Sequence, residues 1–272
     1  MKYLAQGLLS LIMLVSSSTL LAFPKAHPVP GGIALIPLGS VQQPKPQAYF
    51  QNNWVTVLLY QQQWTAIVGL PLELEPSMQV LQVQAANQWI NYPIPVQAKN
   101  YRTQRLRIKD KNKVTPDDES SARIVRELEL TKRLKTTLSH FVPDLNFMRP
   151  VKGRDTGRFG MRRIMNGIPR QPHSGMDIAA PIGTPIKTPH RGRVLYTGSL
   201  FYTGNTVILD HGQGVLSLYA HLNQINTQLG DWLEQGEILG TVGKTGRATG
   251  PHLHWSIYLN QTSVDPSLFL NR

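Results

Sequence analysis

From Gly32 to about Val96 the chain is a series of short apolar runs separated by turn residues: GGIALIPLG, WVTVLLY, WTAIVGLPL and MQVLQVQ. Runs of this length, rich in Val, Ile, Leu and aromatics, predict closely spaced strands. Residues 23–114 are therefore expected to form a small β-sandwich-like domain. This stretch holds no histidine between Gly32 and Val96 and few acids, so nothing in it reads as catalytic.

The period changes at residue 115. TPDDESSARIVRELELTKRLKTTLS carries Ile124, Leu128, Leu134 and Leu138 at helical spacing. Acids fill its first turn and bases its later turns, which suits the helix dipole. Thr115 with Asp118 resembles a capping box, and Pro116 fits the first helical position. The segment 115–149 is expected to be a connecting helix and linker. From about Pro150 short strands return, among them GRVLYTG, NTVILDHG, VLSLYAHL, EILGTVG and HLHWSIYL. Residues 150–272 are expected to form a second β-rich unit, an antiparallel sheet. The fold class is mainly β.

Composition narrows the setting. The 272 residues contain no cysteine, which excludes disulfides, zinc-thiolate sites, a cysteine nucleophile and a lipidated-cysteine anchor. The formal net charge of +12 attracts polyanions without choosing among them. MKYLAQGLLSLIMLVSSSTLLA has one lysine before an apolar run, and Ala22 before Phe23-Pro24 is a plausible cleavage point. Residues 1–22 read as a signal peptide rather than a membrane anchor, because serines and a glycine dilute the run. The chain is expected to be exported, to the periplasm or cell envelope, which weakens a nucleic-acid role. The basic segment 99–113, KNYRTQRLRIKDKNK, reads either as a solvated edge strand or as a patch for an anionic wall or membrane. Its lack of interleaved aromatics beyond Tyr101 argues against single-stranded nucleic acid.

The candidate chemistry is histidine-centred. His173 and Asp177 are four apart in HSGMD, but Gly175 and the flanking prolines point to a turn running into a strand at Met176–Ala179. His252 and His254 lie on a strand-like segment, so their side chains face one side. Either could ligate a metal or act as a base, and a buried hydrogen-bonded pair is the bland alternative. His221 closes an apolar run, a position that is usually structural, and His211 in LDHG reads as a turn residue. Taken together, the histidines and Asp177 supply three N/O ligands and leave a fourth position free, the composition of a catalytic zinc site.

RFGMRR, HSGMDIAAPIGTPI, GNTVILDHGQG, LYAHL and GKTGRATGPHLHWSIYLN, in this order, resemble the lysostaphin-type zinc metallopeptidases of bacterial cell walls. The resemblance covers about residues 150–270. It implies Zn²⁺ held by His173, Asp177 and His254, with His221 and His252 beside the bound water as proton handlers. Asn205 is expected to orient substrate or to shape a turn, the turn being favoured. The implied activity is an exported endopeptidase that hydrolyses peptide cross-links of peptidoglycan. The D,D cross-link is favoured over a glycine bridge, since no glycine-wall targeting module is visible. The alternative is a catalytically silent wall-binding regulator that activates other murein hydrolases. A polyanion-binding scaffold is a third reading. Oligomeric state is not addressed by any motif.

Overall fold

The computed structural model of the chain describes residues 23–85 and 88–270. The leader expected over 1–22 lies outside the described residues. Among those described, no helix is long and apolar enough to cross a membrane.

Six strands come first: β1 (Ile33–Ser40), β2 (Gln47–Phe50), β3 (Asn53–Tyr60), β4 (Gln63–Gly69), β5 (Met78–Ala85) and β6 (Gln88–Pro95). They form one antiparallel sheet in the order β1-β4-β3-β2-β5-β6. The tight turns into β3 and β4 place Gln51, Asn52, Gln61 and Gln62 all at positive φ, as a two-residue type I′ hairpin turn requires. Ala34, Val57 and Val68 from one half of the sheet meet Leu81, Val83 and Ile94 from the other in a single core. The sheet thus curls over its own interior as a sandwich does. Ile33, Leu58 and Ile67 point the opposite way, into the core of the C-terminal unit beside Leu259 and Val264. Burial on both faces explains why β3 and β4 read as continuous apolar runs instead of alternating.

The chain then passes through β7 (Thr103–Leu106) and the single described α-helix, α1 (Asp118–Lys135). The helix starts later than the capping pattern predicts. Asp117, not Thr115, is the N-cap, its carboxylate accepting from the Ser120 N–H. Asn112 decides this choice: its Oδ1 accepts from the Asp117 N–H at 2.8 Å and its Nδ2 donates to Asp117 Oδ2 at 3.2 Å. The helix lies on the outer face of the C-terminal sheet, with Leu134 packed beside Ile208, Leu216 and Leu218.

The remaining strands are β8 (Arg154–Gly157), β9 (Arg162–Met165), β10 (Ile168–Arg170), β11 (Met176–Ala179), β12 (Pro185–Lys187), β13 (Gly192–Leu200), β14 (Gly204–Gly212), β15 (Val215–Ile225), β16 (Trp232–Leu233), β17 (Ile238–Val242), β18 (His252–Leu259) and β19 (Thr262–Val264). Ten of them form an antiparallel sheet whose main path is β16-β13-β14-β15-β18-β11-β8. The fold class is mainly β, with an N-terminal sheet, a connecting helix and a C-terminal antiparallel sheet.

The basic segment holds an edge strand, as one of its two readings expects: β7 ends the three-stranded sheet β10-β9-β7 and pairs in parallel with β9, Gln104 opposite Arg163 and Leu106 opposite Met165. A further feature differs from what the sequence predicts. His211 is not a turn residue. It belongs to β14, is 2 % exposed, and packs on Phe147 with ring centroids 4.8 Å apart.

Candidate metal centre

Strand alternation aims the site. On β18, Leu253, Trp255 and Ile257 enter the core, so His252, His254 and Ser256 face the other side of the sheet. On β11, Met176 and Ile178 enter the core and Asp177 faces the same way as the histidines. Register then sets Asp177 directly opposite His254. His173 reaches the pair from the turn before β11. Gly175 makes that approach possible, because a Cβ there would lie 2.5 Å from both Ser256 Oγ and the Trp255 carbonyl oxygen.

Three ligand atoms converge. His173 Nε2, Asp177 Oδ1 and His254 Nδ1 are each 2.9 Å from the other two. The outward nitrogens are committed elsewhere: His173 Nδ1 donates to the Arg158 carbonyl at 2.9 Å, and His254 Nε2 meets Ser256 Oγ at 2.9 Å. These bonds select the tautomers whose lone pairs point at a common centre, an arrangement typical of metal-ligating histidines. Ligand atoms around a tetrahedral zinc at about 2.0–2.1 Å stand roughly 3.3–3.4 Å apart. A small outward shift of each group therefore seats an ion, and the donor set, two nitrogens and one carboxylate oxygen, fits zinc.

Burial pushes the Asp177 carboxyl up, but the adjacent imidazoles of His173 and His254 outweigh it and hold the group well below the usual carboxylate range. Burial lowers His254 to about 4, against the opposing pull of Asp177. The site is thus an anionic carboxylate facing neutral imidazole, the protonation that metal binding needs.

Two further histidines stand alongside. His221 and His252 have ring centroids 4.7 Å apart, and the His221 and His254 rings are 6.0 Å apart. His221 sits where the β14–β15 ladder slips register, with a φ of 64°, and the left-handed turn re-aims its side chain into the cleft. Its Nδ1 donates to the Thr245 carbonyl at 2.7 Å, leaving Nε2 as an acceptor. Burial first, then the nearby His252 and His254, lower His221 to about 3. His252 Nδ1 donates to the Gly250 carbonyl at 2.8 Å, and its Nε2 lies 3.7 Å from Asp177 Oδ1.

Asn205 stays apart from this group. It is at the start of β14, its N–H bonded to Thr245 Oγ1 at 2.9 Å and its Nδ2 to the Asn223 carbonyl at 3.4 Å. It does not line the histidine cleft. Sequence reasoning misses Arg163, whose Nη2 donates to Asp177 Oδ2 at 2.8 Å. It also misses the cleft wall formed by Gln104, Leu106 and Ile108. The polar and apolar alternation of QRLRI is the available signal, obscured by the dominant basic charge of the segment.

Two family models match the chain: Peptidase family M23 over residues 171–266 and the Peptidase family M23 N-terminal domain over residues 26–99. Among curated relatives, the peptidoglycan DD-endopeptidase ShyA of Vibrio cholerae is 38 % identical over 115 residues, 42 % of this chain and 27 % of the relative. The DD-carboxypeptidase/endopeptidase Mpg of Neisseria meningitidis is 43 % identical over 94 residues, 35 % of this chain and 22 % of the relative. The matched stretches thus span only about a quarter of the length of these relatives. A crystal structure from Pseudomonas aeruginosa assigned to peptidase M23 superimposes with a TM-score of 0.75 at 38 % identity, covering 89 % of this chain and 94 % of that one. With both parts matched in order and an alignment running through nearly the whole of both chains, this chain belongs to peptidase family M23.

Proposed function

We propose that the chain is a zinc-dependent endopeptidase of the cell envelope that hydrolyses peptide cross-links of peptidoglycan. The observation that carries this reading is the set of three acceptor atoms 2.9 Å apart, with two further imidazoles held beside them. His173, Asp177 and His254 are the ligands. Bound there, zinc supplies Lewis acidity, polarising the scissile carbonyl and making water acidic enough to deprotonate near neutral pH.

The protein's own groups handle the protons. His221, neutral and with its Nδ1 tied to Thr245, presents Nε2 to take a proton from the attacking water. The proton that His221 takes is the one returned to the leaving amine, and His252, fixed through Nδ1 by the Gly250 carbonyl, stands beside the reacting group. Arg163 holds the second oxygen of Asp177, so the carboxylate offers Oδ1 alone to the centre. Asn205 shapes the Thr245 turn.

We further propose the division of the chain into a leader (1–22), an N-terminal β domain (23–114), a connector (115–149) and a peptidase domain (150–272). Export follows from the leader. Arg102, Arg105, Arg107, Lys109 and Lys111 are exposed on the basic segment and suit contact with the anionic wall. No observation favours a silent regulator, since all five side chains that the chemistry needs are in place.

Purified murein incubated with the full chain, with and without a chelator, tests the reading. New fragments identified by mass, abolished by the chelator and restored by zinc, are expected. Intact murein under both conditions, together with substoichiometric zinc in the purified protein, would reject it.

A further inference from the structure

The cleft beside the converging ligands is lined by Arg163, Arg247, His221 and His252, with Gln104 and Leu106 opposing. Its charges do not balance. Asp177 is the one carboxylate in the lining, and both its oxygens are engaged, Oδ2 by Arg163 and Oδ1 by the ligand histidines. Arg247 has no carboxylate partner among the described residues. Its guanidinium stacks 4.1 Å from the Tyr202 ring centroid, and Nη1 makes a long 3.4 Å contact with the Lys113 carbonyl. Arg170, outside the lining itself, adds a second cation whose charge acts on Arg247. It donates through Nη2 to the Val114 carbonyl, while its Nε is buried with no partner. Burial, and after it the neighbouring Arg163 and Arg170, pull Arg247 below the ordinary arginine value. Guanidiniums crowded in a half-buried cleft repel one another, and an anion entering from outside relieves that repulsion. The planar fork of arginine matches a carboxylate bidentately.

The position of Arg247 says which carboxylate. The loop 245–250 pins both proton-handling rings, His221 through the Thr245 carbonyl and His252 through the Gly250 carbonyl. Arg247 is carried by the same loop. The leaving amine must meet one of those histidines to receive its proton, so it lies against this loop. A carboxylate on the carbon bearing that amine then enters the cleft that Arg247 lines.

We infer that Arg247, backed by Arg170, forms a subsite for a free carboxylate on the leaving-group side of the scissile amide. A D,D amide of the kind already favoured, whose leaving amine stands on a carbon that also carries a carboxylate, offers the group that this subsite would take. A glycine-to-glycine bond inside a bridge lacks that group. The inference rests on the peptidase reading above and makes it more specific.

The test uses acetyl-lysyl-D-alanyl-D-alanine and its C-terminal carboxamide with the zinc-loaded full chain. Turnover is followed by mass, and binding by calorimetry in a His221→Ala background that slows cleavage. The expected preference for the carboxylate peptide is about 10- to 100-fold in both KM and Kd, the effect of one charge-assisted pair. Arg247→Gln should bring the ratio close to one, and Arg247→Lys should keep part of it. Equal binding of both peptides by the parent chain, binding of neither, or a ratio that persists in Arg247→Gln would overturn the subsite. Cleavage of both peptides at equal rates leaves the peptidase reading standing and removes the subsite alone. Arg247-dependent binding without cleavage of either peptide keeps the subsite and removes the peptidase reading.

Discussion

Asn260 joins the two halves of the chain. Its Oδ1 accepts from the Gly69 N–H at 2.7 Å and its Nδ2 donates to the Gly69 carbonyl at 2.9 Å, both in buried surroundings. Space at this contact is closed: a Cβ on Gly69 would lie 2.9 Å from Leu259 Cβ. Asn260→Asp keeps the shape of the side chain and its tolerance of the positive φ of 38° found there. It also keeps the acceptor for the Gly69 N–H. The donor, however, becomes a carboxylate oxygen facing a carbonyl oxygen. One buried hydrogen bond is lost and the Gly69 carbonyl is left unpaired, which costs about 1–3 kcal/mol, and desolvating the new charge adds to this. A destabilisation of about 3 kcal/mol is expected, at the upper end for a single substitution. Urea unfolding followed by tryptophan fluorescence measures it, and lowering the pH until the introduced carboxyl is protonated should recover part of the loss. A midpoint within experimental error of the parent chain would show that the contact contributes nothing and that the halves are held together elsewhere.

Three other outcomes follow from the site and the core. His221→Ala should retain stoichiometric zinc by metal analysis while turnover on murein drops about 100- to 10,000-fold; loss of zinc instead would make His221 a ligand. Gly157→Ala should weaken zinc binding about 10- to 100-fold in a chelator competition, because the new Cβ would sit 2.3 Å from Asp177 Oδ2 and displace the carboxylate; unchanged affinity would mean that β8 yields freely. His211, lowered by burial to about 4 from an unfolded value near 6.5, must stay neutral in the core. Its contribution is therefore complete above pH 6.5, shrinks as the pH falls towards 4, and is gone below, a change of about 3 kcal/mol. Unfolding curves across that range should slope less in His211→Gln, and parallel slopes would refute the assignment.

The periodic parts of the architecture are legible in the sequence. The pair His252 and His254 can be placed on one face because alternation is local, and the turn before Asp177 can be read from Gly175 and the prolines. Which of the two histidines joins Asp177 cannot be read, because that depends on the β11–β18 register, set by residues 77 apart in the chain. Arg163 escapes for the same reason: it stands on β9 of the three-stranded sheet, and its partner Asp177 stands on β11 of the ten-stranded one. His211 looks like a turn residue because Gly212 follows it, yet Phe147, from the linker before the C-terminal sheet, covers its ring. The helix start shifts because Asn112 claims Asp117, a contact invisible to a capping pattern that begins at Thr115.

The parallel pairing of β7 with β9 bears on how this protein can be dissected. Gln104 and Leu106 belong to a strand that precedes the helix, yet they form one wall of the histidine-lined cleft. A shortened chain beginning after the helix would not simply expose a finished enzyme. It would have an open flank at β9 and a groove of different shape. Activity gained or lost on trimming the front of the chain would therefore report a remodelled cleft.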